Sequence, residues 1–207
     1  MSGDPSTRPR ADRPVGVVLA GGKSRRLGRD KALLRMGGET LVALAARKLA
    51  AVAEPVVIAD RGRRYLASLP SLADGPGAGP AAGLLGAAAA FPGRSLLALA
   101  CDLPLVPSSL LAELAERGTE AGCDWVVPET ARGVEPLCAL YAPRALSRLA
   151  ARAAVGRYSL HDLADEPGLT LRRVGTTELL RSGDPARMFL NVNREEDWEE
   201  LVEREGD

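Results

Sequence analysis

The chain has 207 residues, enough for one large domain or two small ones with a substantial core. Its 27 Lys and Arg balance 27 Asp and Glu, and this zero net charge argues against a nucleic-acid binder or a polybasic membrane partner. With 46% hydrophobic and 26% charged residues the composition is that of an ordinary globular protein, and no apolar run approaches the roughly 18 residues of a membrane span. The zero is a sum of unequal parts. Residues 1–35 carry nine Lys and Arg against three acids, whereas residues 194–207 carry eight acids against two Arg. Cys101, Cys123 and Cys138 are odd in number, widely spaced and without a C-x-x-C pair, a pattern that suits the reducing cytoplasm and neither a disulfide framework nor a zinc site.

Residues 1–14 are polar, with Pro, Ser and Arg, and read as a disordered tail preceding a single domain over 15–207. Val15–Ala20 is a short apolar run ending in glycines, the mark of a buried strand. Residues 39–53 place Leu41, Leu44, Ala45, Leu49 and Val52 at helical spacing. Pro55–Ala59 reads as a second strand and Arg63–Leu69 as a short helix. A Gly/Pro loop at 74–80 leads into an Ala-rich helix over 81–91, with Pro80 suited to its first turn. Ser95–Cys101 is a third buried strand, followed by a helix over 109–117. Strands are then expected at 124–128, 137–141 and 169–174, with helices at 143–154 and 158–164 between them. A strand at Met188–Val192 and an acidic helix from about Glu195 to Glu205 complete the pattern. Strands separated by helices at this rhythm predict an α/β fold of three layers around a mostly parallel central sheet.

The segment from Leu19 to Lys31 follows a buried strand, so it lies at the carboxyl edge of the sheet, where ligands bind in such folds. Gly21 and Gly22 let successive backbone N–H groups converge on an anion. Ser24 adds a hydroxyl, and Lys23, Arg25, Arg26 and Lys31 add positive charge. A polyphosphate is the natural ligand. The loop is not a Walker A motif, because position 17 is Val where that motif needs Gly, and it is not G-x-G-x-x-G. Ser24-Arg25-Arg26-Leu27 is followed by polar residues, so a twin-arginine export signal is rejected.

Asp102, in Cys101-Asp102-Leu103-Pro104, falls directly after the third strand, at the same edge as the glycine loop. One Asp with phosphate oxygens and waters is a common way to hold Mg²⁺, although Asp-x-Pro also simply begins turns. Asn191 and Asn193 share one side of an extended segment and offer side-chain carbonyls to a metal or a phosphate. Asn193 also stands at N-cap spacing from Glu196. Asp74 opens the Gly/Pro loop and can accept hydrogen bonds from a base or a sugar hydroxyl. His161 is the single histidine, and without a His or Cys near it a surface or structural role fits better than catalysis.

Leu19-Ala-Gly-Gly-x-Ser-x-Arg-Leu-Gly-x-Asp-Lys31 is similar to the signature of nucleotidyltransferases. Together with Cys101-Asp102-Leu-Pro and Phe189-Leu-Asn-Val-Asn193 it resembles the molybdenum cofactor guanylyltransferase family of bacteria, over about Val15 to Val202. The resemblance implies a Rossmann-like nucleotidyltransferase fold and transfer of GMP from GTP to molybdenum-molybdopterin, with release of pyrophosphate. Carried onto this chain, Leu19, Ala20, Gly21, Gly22 and Ser24 would meet the guanine nucleotide. Lys31 would hold the triphosphate, with Arg26 assisting, and Asp102 would bind Mg²⁺, with Asn193 as a further ligand. Asp74 resembles the family's acidic residue before the glycine-proline loop. Gly21, where related cytidylyltransferases tend to have Ala, favours GTP over CTP.

The chain departs from the family in three places. Leu27 replaces the usual Met, a change that keeps volume. After the second strand the family often has a base-reading Asn, whereas this chain has Ala59-Asp60-Arg61, which leaves Asp60 to accept from guanine N1–H and N2–H. Glu135-Pro136 replaces a His-Pro pair and, with Asn191, marks the acceptor side. The resemblance further implies molybdoenzymes or their chaperones as partner proteins. The rival readings are a CTP- or sugar-1-phosphate-using enzyme of the same fold and a non-catalytic GTP-binding module.

Overall fold

The structure, a computed structural model, describes residues 13–21, 30–192 and Trp198. Its central strands are the apolar runs of the sequence: β1 (Val15–Leu19), β4 (Val56–Ala59) and β6 (Leu96–Ala100) are buried at every residue. Strands covered on both faces have no solvent side to alternate with, hence the unbroken Val, Leu, Ile and Ala. β1 pairs in parallel with β4 on one side and β6 on the other, and β5 (Ser71–Leu72) extends the parallel set beyond β4. Beyond β6 lies β9 (Cys138–Tyr141), antiparallel to β6 and to β7 (Trp125–Thr130). The far edge is β10 (Leu171–Val174), parallel to β7, and the two-residue β8 (Gly133–Val134) folds back on β7. The spatial order is therefore β10-β7-β9-β6-β1-β4-β5. A mostly parallel sheet was expected, and β9 is its one reversed member along that order.

Helices cover both faces. Along β1, Gly16 faces α1 (Leu41–Ala50), where an added Cβ would lie 3.2 Å from Leu49. Leu19, of opposite parity, packs instead against Gly83 of α2 (Gly79–Ala90). α1 contacts α3 (Ser108–Arg117), and α2 contacts α4 (Pro143–Ala154). The Thr40 hydroxyl caps α1 by accepting from the Ala43 N–H. Its buried face holds Leu41, Leu44, Ala45 and Leu49, the residues that helical spacing had marked.

The backbone departs from the expected elements in several places. A hairpin of β2 (Arg35–Met36) and β3 (Glu39–Thr40) precedes α1, turned by Gly37 and Gly38 at φ 57° and 86°. Residues 63–69, expected to be helical, form turns instead. The buried Asp60 carboxylate accepts from the Gly62 N–H at 3.1 Å and the Tyr65 N–H at 3.2 Å, and Arg61 and Arg64 both adopt positive φ. The expected helix at 158–164 is a 3₁₀ helix at His161–Asp165. After β10 come two short helices, α5 (Thr176–Leu179) and α6 (Pro185–Met188), the second with Asp184 as N-cap and Pro185 at its first position. Met188–Val192, expected as a strand, instead closes α6 and runs on without strand structure. In place of a ladder, the Val192 N–H bonds singly to the Asp102 carbonyl at 3.1 Å, and Arg132 donates to the Phe189 carbonyl at 3.0 Å. The acidic helix expected from Glu195 lies outside the described residues.

Candidate active site

Chain order and strand order disagree at β1: β4 lies to one side, while β6, reached through β5 and α2, lies to the other. The crevice outside the carboxyl ends at such a switch point is the usual ligand site of open α/β sheets. A cavity of about 150 Å³ sits there, lined by Leu19, Ala20 and Gly21 after β1, Asp30 and Lys31, Asp74, Gly79 and Gly83 of α2, and Cys101 and Asp102 after β6. Six residues of the predicted site thus line one cavity, Leu19, Ala20, Gly21, Lys31, Asp74 and Asp102, along with the signature residue Asp30. Gly22, Ser24, Arg26 and Asn193 lie outside the described residues.

Lys31, the last residue of the signature, and Asp102, directly after β6, meet at the cavity, Nζ donating to Oδ2 at 3.4 Å. Their side chains are 17% and 24% exposed, so each keeps access to a ligand. Both are held by their neighbours. Asp30 caps the short turn Lys31–Leu33 by accepting from the Ala32 N–H, and its other oxygen accepts from the Tyr65 hydroxyl and from Arg63. The Tyr65 phenol is pushed up to about 12, first by burial and then by its bond to Asp30. Asp102 sits in a tight turn, with the Leu103 N–H bonded to the Ala100 carbonyl. Lys48 of α1 clamps the following loop by donating to the Pro104 carbonyl at 2.5 Å and the Val106 carbonyl at 2.7 Å. Asp102 thus stands in a turn and also lines the cavity: the turn is what presents the carboxylate there.

Asp74 is placed by two glycines of close approach. A Cβ on Gly86 would stand 2.3 Å from the Ala73 carbonyl, and one on Gly75 would stand 2.6 Å from the Gly86 nitrogen, so the loop lies directly on α2. Across the cavity mouth Arg61 donates from Nε to Asp74 Oδ2 at 2.7 Å. Sequence reasoning passed over Arg61, Arg63 and Tyr65, because turn residues that meet the site from a loop carry no periodic signal.

Asp60 is not where the base-reading role requires it. It is fully buried, with Oδ1 accepting from the Gly62 N–H and the Ser71 hydroxyl and Oδ2 from the Tyr65 N–H. It knots the turn after β4 and does not line the cavity. Asn191 is exposed and reaches this edge through the backbone bond of Val192 to Asp102. Glu135 is half-buried two residues before Leu137, which lines the cavity, and it accepts from the Thr130 hydroxyl. Burial pushes its carboxyl up, against the lowering effect of Thr130 and Arg132. Cys101 borders the cavity, but complete burial raises its thiol far above neutrality, which removes it as a nucleophile. His161 is exposed at the surface of the other half.

No cluster of three or more His, Cys, Asp and Glu suited to a metal occurs among the described residues. The donor that the cavity offers is a single hard carboxylate, Asp102. Such a site suits a hard divalent cation whose remaining ligands are phosphate oxygens and water. Also among the described residues, no helix is long and apolar enough to cross a membrane.

A family model described as the MobA-like NTP transferase domain matches residues 16–168. The chain is 42% identical over 153 residues to a probable molybdenum cofactor guanylyltransferase of Opitutus terrae, covering 70% of this chain and 75% of that one. The crystal structure of molybdopterin-guanine dinucleotide biosynthesis protein A from Archaeoglobus fulgidus superposes with a TM-score of 0.78 at 26% identity, covering 92% of this chain and 97% of the other. A Mycobacterium tuberculosis protein solved as a complex with manganese shares the fold at a TM-score of 0.66 and 20% identity, covering 92% and 98%. With the described signature residues, Leu19 to Gly21, Asp30 and Lys31, gathered at one switch-point cavity, and with these likenesses, the chain belongs to the MobA-like nucleotidyltransferases, in the branch of the molybdenum cofactor guanylyltransferases.

Proposed function

We propose that this enzyme transfers GMP from GTP to molybdenum-molybdopterin, with Mg²⁺ as the cation and pyrophosphate as the leaving group. The observation that carries the reading is the meeting of Lys31 and Asp102 at the switch-point cavity. A terminal phosphate oxygen of molybdopterin attacks the α-phosphorus of GTP. The new bond joins that oxygen to the α-phosphorus, and the bond to the bridging α–β oxygen breaks. The nucleophile is already an anion, so the reaction needs no strong general base. The chain's work is positioning and charge neutralisation.

In this reading Leu19, Ala20 and Gly21 meet the nucleotide through backbone groups, with Gly22 and Ser24 continuing the loop. Lys31 and Arg26 carry positive charge to the triphosphate. Asp102, with Asn193, holds the cation, which supplies neutralising charge to the phosphates when bound. Asn191 and Glu135 face the acceptor. The enzyme works in the cytoplasm, folds as one domain over 15–207, and hands its product to molybdoenzymes or their chaperones.

A nucleotide panel tests the proposal. Pyrophosphate release in the presence of molybdopterin is expected with GTP and not with CTP, UTP or ATP. Release with CTP or UTP but not GTP would overturn it, as would GTP binding without turnover.

A further inference from the structure

Asp60, the acid expected to read the base, is sealed in its turn, and the next residue, Arg61, reaches Gly21 and Asp74, two residues that line the cavity. Arg61 has φ +62°, a left-handed conformation that non-glycine residues seldom adopt. The bond from the Gly62 N–H to the Asp60 carboxylate fixes this bend. It brings the guanidinium beside Gly21, where an added Cβ would lie 3.6 Å from Arg61 Nε. Arg61 Nε donates to Asp74 Oδ2 at 2.7 Å, with the two side chains 34% and 25% exposed. Among the described residues this is the single hydrogen bond that either side chain makes. The terminal guanidinium nitrogens and Asp74 Oδ1 therefore remain available to a ligand. The adjoining walls are apolar or bare backbone: Gly21, Ala59 and Gly83.

A slot with such walls takes a flat ring, and its rim offers donors followed directly by acceptors. Guanine presents the complement in the same sequence along one side of the ring. N7 and O6 accept, and next to them N1–H and the 2-amino group donate. A guanidinium pairs with O6 and N7, and a carboxylate pairs with the donors that follow. Adenine places an amino group where guanine has O6, so it would set donor against donor at Arg61.

On the reading of the cavity as a GTP site, we propose that the Arg61–Asp74 pair selects the base. Arg61 donates to O6 and N7, and Asp74 accepts from N1–H and the 2-amino group. Arg61 is then the specificity residue of this chain, filling the place for which its sequence had offered Asp60.

The test is the dissociation constant of GTP, inosine triphosphate and ATP, measured by calorimetry with Mg²⁺ and without acceptor. It compares wild type, Arg61→Gly, which keeps the positive φ relaxed, and Asp74→Asn. Inosine triphosphate keeps O6, N7 and N1–H and lacks the 2-amino group. Arg61→Gly is expected to weaken GTP and inosine triphosphate alike, about 10-fold, and to leave ATP unchanged at an unaltered melting temperature. Asp74→Asn is expected to weaken GTP more than inosine triphosphate. Equal losses for GTP and ATP in Arg61→Gly, or an unchanged preference for GTP, would overturn the assignment while leaving the GTP site standing. A wild-type protein that binds all three nucleotides equally would overturn the GTP reading itself, and this assignment with it.

Discussion

The two halves of the sheet use their charges in different ways. In the half built on β7, β9 and β10, arginines are held in networks of carboxylates. Arg152 of α4 is 6% exposed and donates to Asp162 at 2.9 Å and Glu166 at 2.8 Å. Arg117 joins Glu113 at 2.7 Å and Glu178 at 2.8 Å, and Arg172 donates to the same Glu178. At the edge of β1, β4 and β6 the ion pairs border a cavity. Arg61 and Asp74 share one bond beside an open cavity, and Lys31 meets Asp102 at a long 3.4 Å. The lesson is that burial and pairing of a charge mark scaffold as often as chemistry. Pairs that border a cavity are the better place to look for a site.

Three substitutions would break this contrast if it is wrong. Asp102→Ala is expected to lower the rate of pyrophosphate release by about 10³-fold, the scale for losing a group that organises transition-state charge, with the melting temperature preserved. A near wild-type rate would remove Asp102 from the chemistry. Arg152→Ala reverses the pattern: chemical denaturation should show a loss of about 3 kcal/mol from stranding Glu166 in a part-buried site. The protein that remains folded should bind GTP as before, and a selective loss of binding would show that this network reaches the site. Smallest is Tyr65→Phe, which removes one hydrogen bond from Asp30 and costs about 1 kcal/mol of ordering in the turn that carries Lys31. Its expected sign is a KM for GTP raised about 5-fold with kcat little changed.

One carboxylate of the scaffold half makes stability depend on acid. Hydrogen bonding to Arg172 holds the Glu178 carboxyl below its usual range, a shift that several charges in this network reinforce. A depressed carboxylate stabilises the fold at pH values above its unfolded range, and the contribution is lost as pH falls through the folded value. Glu178→Gln should therefore flatten the acid limb of a stability profile, and leave the neutral limb's shape unaltered.

The core strands were legible because β1, β4 and β6 are buried on both faces, which forces an apolar run that no surface element imitates. The edge that holds the site followed from that, since Gly21 and Asp102 each come directly after such a strand. The rest was set by contacts across the chain. Nothing local distinguishes Arg63–Leu69 from a helix. Asp60 decides the matter, by drawing two backbone N–H groups to its carboxylate. The same act buries Asp60 and leaves Arg61 to meet Asp74. Met188–Val192 has the composition of a strand, yet Phe189 is fully buried beneath the Arg132 contact and only Val192 finds a backbone partner near the site, at Asp102. The Gly37-Gly38 turn, by contrast, was a readable hairpin signal that sequence reasoning passed over.

The balanced charge of the whole chain hides this arrangement, since a cavity for one nucleotide needs only a few unbalanced groups. The most direct test of the account is incubation of the protein with Mg²⁺, GTP and molybdenum-loaded molybdopterin, followed by mass analysis of the released cofactor. The account predicts a molybdopterin guanine dinucleotide and one pyrophosphate for each GTP consumed. Intact GTP beside unmodified molybdopterin, or a dinucleotide formed with another base in place of guanine, would contradict it.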